Sequence, residues 1–306
     1  MRLYLTADEI DFDIDELCDR EPTKKILMCT PEHFDVTEAI NEFMYRREGD
    51  HVVLNQVDKP RAVQQWHYLK DLYNSLGYEV ELISGPYGLE DAVFCANQSF
   101  PYINPATGEK EVVMSIMRKE KRKQEVAYFE AWYKNAGYKI RHLHDCCFEA
   151  MGDAVWFPGK NLIVAGYGST EHHRTDLVAL RQIAEITGFP VIGIHLQHKD
   201  FYHLNTTLCL VSQNTCVVYP EGVGEEGMKI LRKLFKNVIE VPREEAYAPN
   251  FACNAFSPDG RVVIIQHSCP ETIAALENLG YIVLRVDTSE FIKSGGSVFC
   301  MKMQVY

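Results

Sequence analysis

No apolar run in the 306-residue chain approaches the roughly 20 residues that a membrane-crossing helix needs, so a membrane is not an expected partner. Positive charge is also scarce: 31 Lys and Arg against 43 Asp and Glu leave a net charge of −12. Nucleic acids and anionic lipid surfaces are gripped by clustered cations, so neither is expected; a small cationic ligand is favoured instead. A secretory leader is not evident, since Met1-Arg2-Leu3-Tyr4-Leu5 gives way to an acidic stretch from Asp8 to Glu21. The ten cysteines lie mostly in apolar runs such as Phe94-Cys95-Ala96 and Thr207-Leu208-Cys209-Leu210. That placement suits reduced thiols in a cytoplasm better than a disulfide framework. His142, His144, Cys146 and Cys147 crowd together, as do His172 with His173 and His195 with His198, yet none has the paired spacing and distant second pair of a structural zinc site. No metal and no cofactor are expected.

What is present is a core and a recurring phrase. With 46% hydrophobic residues the chain has ample material for a large domain. Residues 1–24 read as an acidic extension, packed on the surface or loosely tethered, and 25–306 as a single domain that opens on the strand Lys25 to Cys29. From there an amphipathic helix repeatedly runs to a glycine, an aromatic follows and a β-branched strand begins: Leu76-Gly77-Tyr78, Ala136-Gly137-Tyr138, Thr187-Gly188-Phe189 and Leu279-Gly280-Tyr281. A weaker copy, Phe235-Lys236-Asn237, carries asparagine, which also tolerates the left-handed conformation that ends a helix. The expected helices are 61–75, 126–136, 176–187, 225–236 and 270–279. Hairpin-like segments lie between the beats at 92–116, 154–166, 206–219 and 252–266. Five units of this size cannot each bury an apolar face alone, so the expectation is an α/β fold of five fan-like ββαβ units around one axis.

Loops at the strand ends of such a ring converge on a mouth, and four stretches place chemistry there. Asp91 and Asn97 are six apart and read as one face of a strand. Glu149 and Asp153 precede a strand, with Asp153 expected to hold a turn. His203 and Asn205 read as sharing a face. Gly295 and Gly296 allow a sharp turn and close approach to a ligand, so that the run 297–303 can begin as a strand carrying Cys300 near its mouth. Singly, each has an ordinary structural explanation: a capping aspartate, a core histidine, a buried thiol. Together, a thiol, an imidazole and two carboxylates are what nucleophilic attack on a cationic carbon requires.

Ile26-Leu27-Met28-Cys29-Thr30-Pro31, Ala39-Ile40-Asn41, Asp91 to Asn97, Phe148 to Asp153, Phe201 to Thr206 and Glu290 to Cys300 resemble, in order, the guanidine-modifying (pentein) superfamily. That group includes arginine deiminases, arginine dihydrolases, dimethylarginine dimethylaminohydrolases and amidinotransferases. The resemblance implies a five-bladed α/β propeller and a hydrolase of C–N bonds in arginine or a close guanidino compound, giving citrulline or ornithine. It implies that Cys300 is the nucleophile, His203 the general acid and later base, Glu149 the catalytic carboxylate and Asp91 the guanidinium clamp. Asn41, Asn97, Asn205, Arg174 and Gly295 are implied as substrate-binding positions. Asn205 stands where many members carry a second aspartate, and Asn97 is shared with arginine dihydrolases. The arginine expected after the Asp91 hairpin falls near Ile116, with Arg118 or Arg122 as displaced substitutes. A second, carboxylate-binding arginine, expected after the strand 162–166, aligns with Arg174 only with 169–172 as an insertion. Two other readings stay open: an amidinotransferase passing the amidino group to an amine, and a non-catalytic binding protein of the same fold. Whether copies of the chain associate is open as well.

Overall fold

A computed structural model describes residues 2–306, and its architecture is mixed α/β. Five sheets share one plan, in which a strand is followed by a helix and then by a parallel strand at its side. In the first sheet Lys25–Cys29 and Glu79–Ile83 are the parallel pair. The others pair Lys110–Met114 with Lys139–Arg141, Ile163–Tyr167 with Val191–His195, Thr215–Val218 with Asn237–Glu240, and Val262–Gln266 with Ile282–Val286. The connecting helices are Lys59–Ser75, Val126–Asn135, Leu177–Thr187, Pro220–Leu234 and Pro270–Asn278. The expected helices lie within these bounds to a residue or two, apart from the fourth. That one runs Pro220–Leu234 and is broken at Gly224, where φ is +67°.

The local reasons are plain in the sequence. Proline stands at the first or second position of the helices beginning at Lys59, Pro220 and Pro270, where its missing N–H costs nothing. Gly77, Gly137, Gly188 and Gly280, the glycines of the recurring phrase, all have positive φ, between +79° and +88°, so each turns the chain from helix to strand without a Cβ penalty.

An antiparallel strand completes four of the sheets: Met303–Val305, Ser99–Ile103, Ala154–Trp156 and Leu208–Ser212. In the fifth sheet it is reduced to one bridge between Phe256 and Ile264. Just before each lies a short turn: Cys95–Asn97, Ala150–Gly152, Leu204–Thr206, Ala252–Asn254, and the stretch 298–301. Three expectations are corrected here. Asp91 and Asn97 occupy two successive 3-10 turns, Glu90–Val93 and Cys95–Asn97; His203 and Asn205 occupy the start of another; and Cys300 lies in a turn ahead of a strand that begins only at Met303. The apolar run around each residue imitates a strand, but those apolar side chains pack a tight turn against its neighbours.

Two features had no sequence signal. A separate hairpin, Tyr45–Glu48 with His51–Leu54, is inserted before the first helix. Leu3–Tyr4 adds a parallel strand to Val191–His195, and Tyr4 and Ile10 are buried, so the acidic segment is docked onto the third sheet. Among the described residues no helix is long and apolar enough to cross a membrane.

The second sheet holds a buried carboxylate. Glu111 accepts from Arg141 Nε at 2.6 Å and Nη2 at 2.9 Å, from Tyr102 Oη at 2.5 Å and from Asn104 Nδ2 at 3.0 Å. Burial pushes its carboxyl up, but these donors outweigh that and bring it down to about 2. Because the folded value lies below the unfolded one, the stability it lends is complete above the ordinary carboxylate range and drains away as pH falls toward 2. Glu111→Gln should therefore lower the unfolding free energy by about 3 kcal/mol at neutral pH, with the gap to the parent narrowing below pH 4. Urea midpoints of both proteins between pH 2 and 7 check this; a gap that does not change with pH would refute it.

Candidate active site

The five turns touch one another in sequence. Ala96 N–H donates to Cys300 O at 3.1 Å. Asn254 Nδ2 donates to Cys300 Sγ at 3.2 Å and to Asn205 O at 2.8 Å. Asn205 Nδ2 donates to Met151 O at 3.4 Å. Gly152 packs so closely on Asn97 and His203 that a Cβ there would stand 2.4 Å from Asn97 Nδ2 and 3.0 Å from the imidazole. The chain of contacts thus returns to its start, carrying Asn97, Glu149, His203, Asn205 and Cys300 to one place.

Cys300 is buried, yet its sulfur is not sealed in apolar packing. It accepts from Asn254 Nδ2 and faces Asn205 Oδ1 at 3.7 Å, and it lines a small cavity with Asn41, Asp91, Asn97, Arg174, Tyr202 and Gly295. Burial pushes the thiol up; the Asn254 hydrogen bond, the Ser297 backbone and the charges of Arg122 and Lys302 pull it down. Asn254 was not anticipated. Its Oδ1 accepts the backbone N–H of Ser297 at 2.9 Å and of Cys300 at 3.2 Å, so one amide holds both the sulfur and the backbone that carries it.

His203 Nε2 meets Glu149 Oε2 at 2.8 Å, and Nδ1 lies 3.5 Å from Asn97 Nδ2. The orientation of the Asn97 amide is set by Arg122, whose Nη1 donates to Asn97 Oδ1 at 3.0 Å. That leaves the NH2 toward Nδ1, so the neutral ring accepts at Nδ1 and donates Nε2–H to the carboxylate. Glu149 also accepts the backbone N–H of Arg118 at 3.0 Å and lies 3.7 Å from Arg174 Nη1. Burial alone would raise its carboxyl, but Arg174, the His203 hydrogen bond and Arg122 hold it at about 2. It is an anion across the working range.

Asp91 borders the cavity and accepts from Ser294 Oγ at 2.8 Å. It is half-buried, and the surrounding walls push its carboxyl up against the opposing pull of Arg122 and Ser294. Asp153, expected to hold a turn, ties two units together: its carboxylate accepts Leu204 N–H at 2.9 Å and Thr175 Oγ1–H at 2.6 Å. Ile116 packs against the core and pairs with Phe148, and Arg118 bonds Asp176 near the surface at 2.6 Å. Of the two substitutes, Arg122 reaches the cavity, but its forked bonds to Glu125 at 3.0 and 3.1 Å hold it behind Asn97. Arg174 is buried, donates to Ile40 O at 2.6 Å and lies over the Tyr202 ring at 4.9 Å.

Asn41 Nδ2 donates to Ser294 O at 3.1 Å. Gly295 has φ +86°, and a Cβ there would meet Asn41 at 2.8 Å and Tyr202 Oη at 3.0 Å, so only glycine fits. The cavity's free space is about 10 Å³, no more than one water, and Ile40 and Asn41 form part of its wall. A far larger cavity, about 970 Å³, opens among Trp156, Ser257 and Tyr281, but Asp91, Glu149, His203 and Cys300 do not line it. Among the described residues no group of three or more His, Cys, Asp or Glu is arranged to hold a metal ion.

A family model described as N,N dimethylarginine dimethylhydrolase, eukaryotic, matches residues 30–306. The N(G),N(G)-dimethylarginine dimethylaminohydrolase of Mycobacterium tuberculosis is 31% identical over 287 residues, covering 93% of this chain and 86% of that protein. The bifunctional arginine dihydrolase/ornithine cyclodeaminase AgrE of Nostoc sp. is 29% identical over 282 residues, covering 92% of this chain but only 38% of the larger protein. Among solved structures, the product-bound N-terminal domain of the cyanobacterial arginine dihydrolase ArgZ superposes with a TM-score of 0.81 at 29% identity, covering 94% of this chain and 98% of that one.

Two substitutions test the geometry. Asn254→Ala strands the sulfur and two backbone N–H groups, and should cost about 1–3 kcal/mol of stability and slow alkylation of Cys300. Gly152→Ala should leave the melting temperature within a few degrees but separate Asn97 from His203, lowering kcat by about a hundredfold. Steady-state kinetics beside thermal unfolding check both; normal turnover in Gly152→Ala would show that the close packing has no part in catalysis.

Proposed function

Because the chain belongs to the N,N-dimethylarginine dimethylhydrolase family, within the guanidine-modifying superfamily, we propose that it hydrolyses a C–N bond of arginine or a close guanidino compound. The observation that carries this reading is that Cys300 and Asp91 line one small cavity, with the His203–Glu149 pair directly behind Asn97, which lines the same cavity and lies 3.5 Å from the imidazole Nδ1. Asp91 takes the guanidinium through paired hydrogen bonds, and the arriving cation lowers the proton affinity of the Cys300 thiol. The thiolate attacks the guanidinium carbon, forming an S–C bond. His203, protonated on both ring nitrogens at this step with Glu149 holding Nε2–H, gives its Nδ1 proton to the departing nitrogen as the C–N bond breaks, which leaves a thiouronium on Cys300. The imidazole then removes a proton from water, the hydroxide adds to the same carbon, and the S–C bond breaks to return the thiolate. Glu149, kept ionised at about 2, orients the ring and balances its charge whenever it holds the extra proton.

Asn97 favours arginine dihydrolysis over removal of dimethylamine. Its amide is fixed by Arg122 and lies beside the histidine nitrogen that handles protons, and the relatives matched include arginine dihydrolases as well as dimethylarginine hydrolases. Arg174, which donates to Ile40 O, and Asn41, which donates to Ser294 O, both line the cavity and are the residues we assign to the amino-acid end of the substrate.

The five sheets and their mutually bonded turns support reading residues 25–306 as one five-bladed α/β propeller, with the preceding segment docked on its third blade. The ten cysteines are all free, which supports a reducing compartment such as the cytoplasm.

Incubation with arginine, with and without glycine, and with asymmetric dimethylarginine, followed by assays for ammonia, dimethylamine, citrulline, ornithine and guanidinoacetate, tests the function. Arginine is expected to give ornithine with two ammonia and one carbon dioxide, the citrulline of the first cycle passing through a second attack by Cys300 at the same carbon; guanidinoacetate with glycine would mark a transferase, and no product from either guanidine would leave a binding protein. Asn97→Asp should shift the arginine product toward citrulline, while Cys300→Ser should abolish turnover of every substrate.

A further inference from the structure

The loop that carries Arg174 is built around an imidazole. Gly168 N–H donates to Thr175 O at 3.1 Å and closes the loop at its base. Residues 169–172 are exposed, whereas 173–175 are buried. His173 lies so close to Gly168 that a Cβ at that glycine would run into the ring, so the imidazole fills the inside of the loop while the next side chain, Arg174, leaves it to line the small cavity beside Cys300.

Three hydrogen bonds lead from the imidazole to the guanidinium. His173 Nδ1 meets Thr170 Oγ1 at 3.0 Å. The same hydroxyl oxygen accepts the backbone N–H of His172 at 3.3 Å, and His172 O accepts from Arg174 Nε at 3.3 Å. The far end of the guanidinium donates to Ile40 O at 2.6 Å. The arginine is therefore held at both ends, by the cavity wall at Nη2 and by its own loop at Nε. The other imidazole nitrogen, Nε2, is buried without a hydrogen-bond partner, and an unpaired buried polar atom is a cost to the fold. A phenyl ring would occupy the same space without that cost, so what the imidazole contributes is its bond through Nδ1.

We propose that His173 is a positioning residue for Arg174, locking the loop so that the guanidinium meets the carboxylate of the substrate, and that it thereby sets the preference for guanidines that carry a carboxylate over those that do not. The proposal rests on the assignment of Arg174 to the amino-acid end of the substrate. An arginine clamp is selective only when its fork is already aimed, because the side chain otherwise spends its rotamer freedom on each binding event.

The test is calorimetric binding of L-arginine and of agmatine, which has the same guanidinium but no carboxylate, to protein carrying Cys300→Ser so that neither is turned over. Adding His173→Phe should weaken arginine roughly tenfold, the loss of one charge-assisted hydrogen bond, and leave agmatine within about twofold. His173→Asn, whose amide stands where Nδ1 does, should recover most of the arginine affinity. An unchanged arginine affinity in folded His173→Phe overturns the proposal, as does an equal loss for both ligands, which would mark the ring as a structural plug. Should His173→Phe fail to fold, Gly168→Ala displaces the imidazole without removing it; the same selective loss is expected, and its absence overturns the proposal. Arg174→Gln separates the two readings. Selective loss in Arg174→Gln but not in His173→Phe sinks His173 alone, and no loss in Arg174→Gln sinks the assignment of Arg174 and the proposal with it.

Discussion

The carboxamide of Asn254 joins three things that would otherwise be independent: the Cys300 sulfur, the backbone N–H groups that fix the turn beneath it, and the Asn205 carbonyl of the adjacent unit. A side-chain amide suits this task because it is donor and acceptor at once and carries no charge to be neutralised. A carboxylate in the same place could accept the two N–H groups but would repel a thiolate. The Cys300 sulfur is therefore located by hydrogen bonds from two units, and its position is as precise as the packing between them.

On the far side of the cavity the charges are balanced in layers. Glu149 lies between the imidazole and Arg174, and Arg122 is neutralised by Glu125 while directing the Asn97 amide. Glu125 itself is pushed up to about 7 by burial, against the pull of Arg122. Buried ions of this kind are tolerated only when paired and bonded on every side. What they return is orientation: Glu149 determines the histidine tautomer and Arg122 the direction of the Asn97 amide.

Much of this was legible in the sequence, for particular reasons. Gly77, Gly137, Gly188 and Gly280 mark helix ends because no other residue adopts their conformation as cheaply, so the five-unit rhythm could be counted directly. Cys300, His203, Glu149 and Asp91 stood out because a thiol, an imidazole and two acids share a reaction. Asn254 has no such chemistry, and its apolar neighbours Ala252, Cys253, Ala255 and Phe256 imitate a strand. Its signal was positional: Asn97 and Asn205 occupy the same turn of their own units, and laying the unit starts side by side would have exposed the third asparagine. The hairpin at 45–54 and the strand at Leu3–Tyr4 were hidden for another reason. Each is short and finds its partner through tertiary placement, which local periodicity does not encode.

The docking of Leu3–Tyr4 beside Val191–His195 also bears on how the molecule behaves in a crowded solution. The outermost strand of a sheet offers unpaired backbone groups to any passing chain, a standing invitation to aggregate. In the third sheet the rim at Val191 and Ile192 is covered from within by Leu3 and Tyr4, part of a segment that also carries Asp8, Glu9 and Asp11. The same short strand that extends the sheet thus doubles as its guard against self-association through that edge.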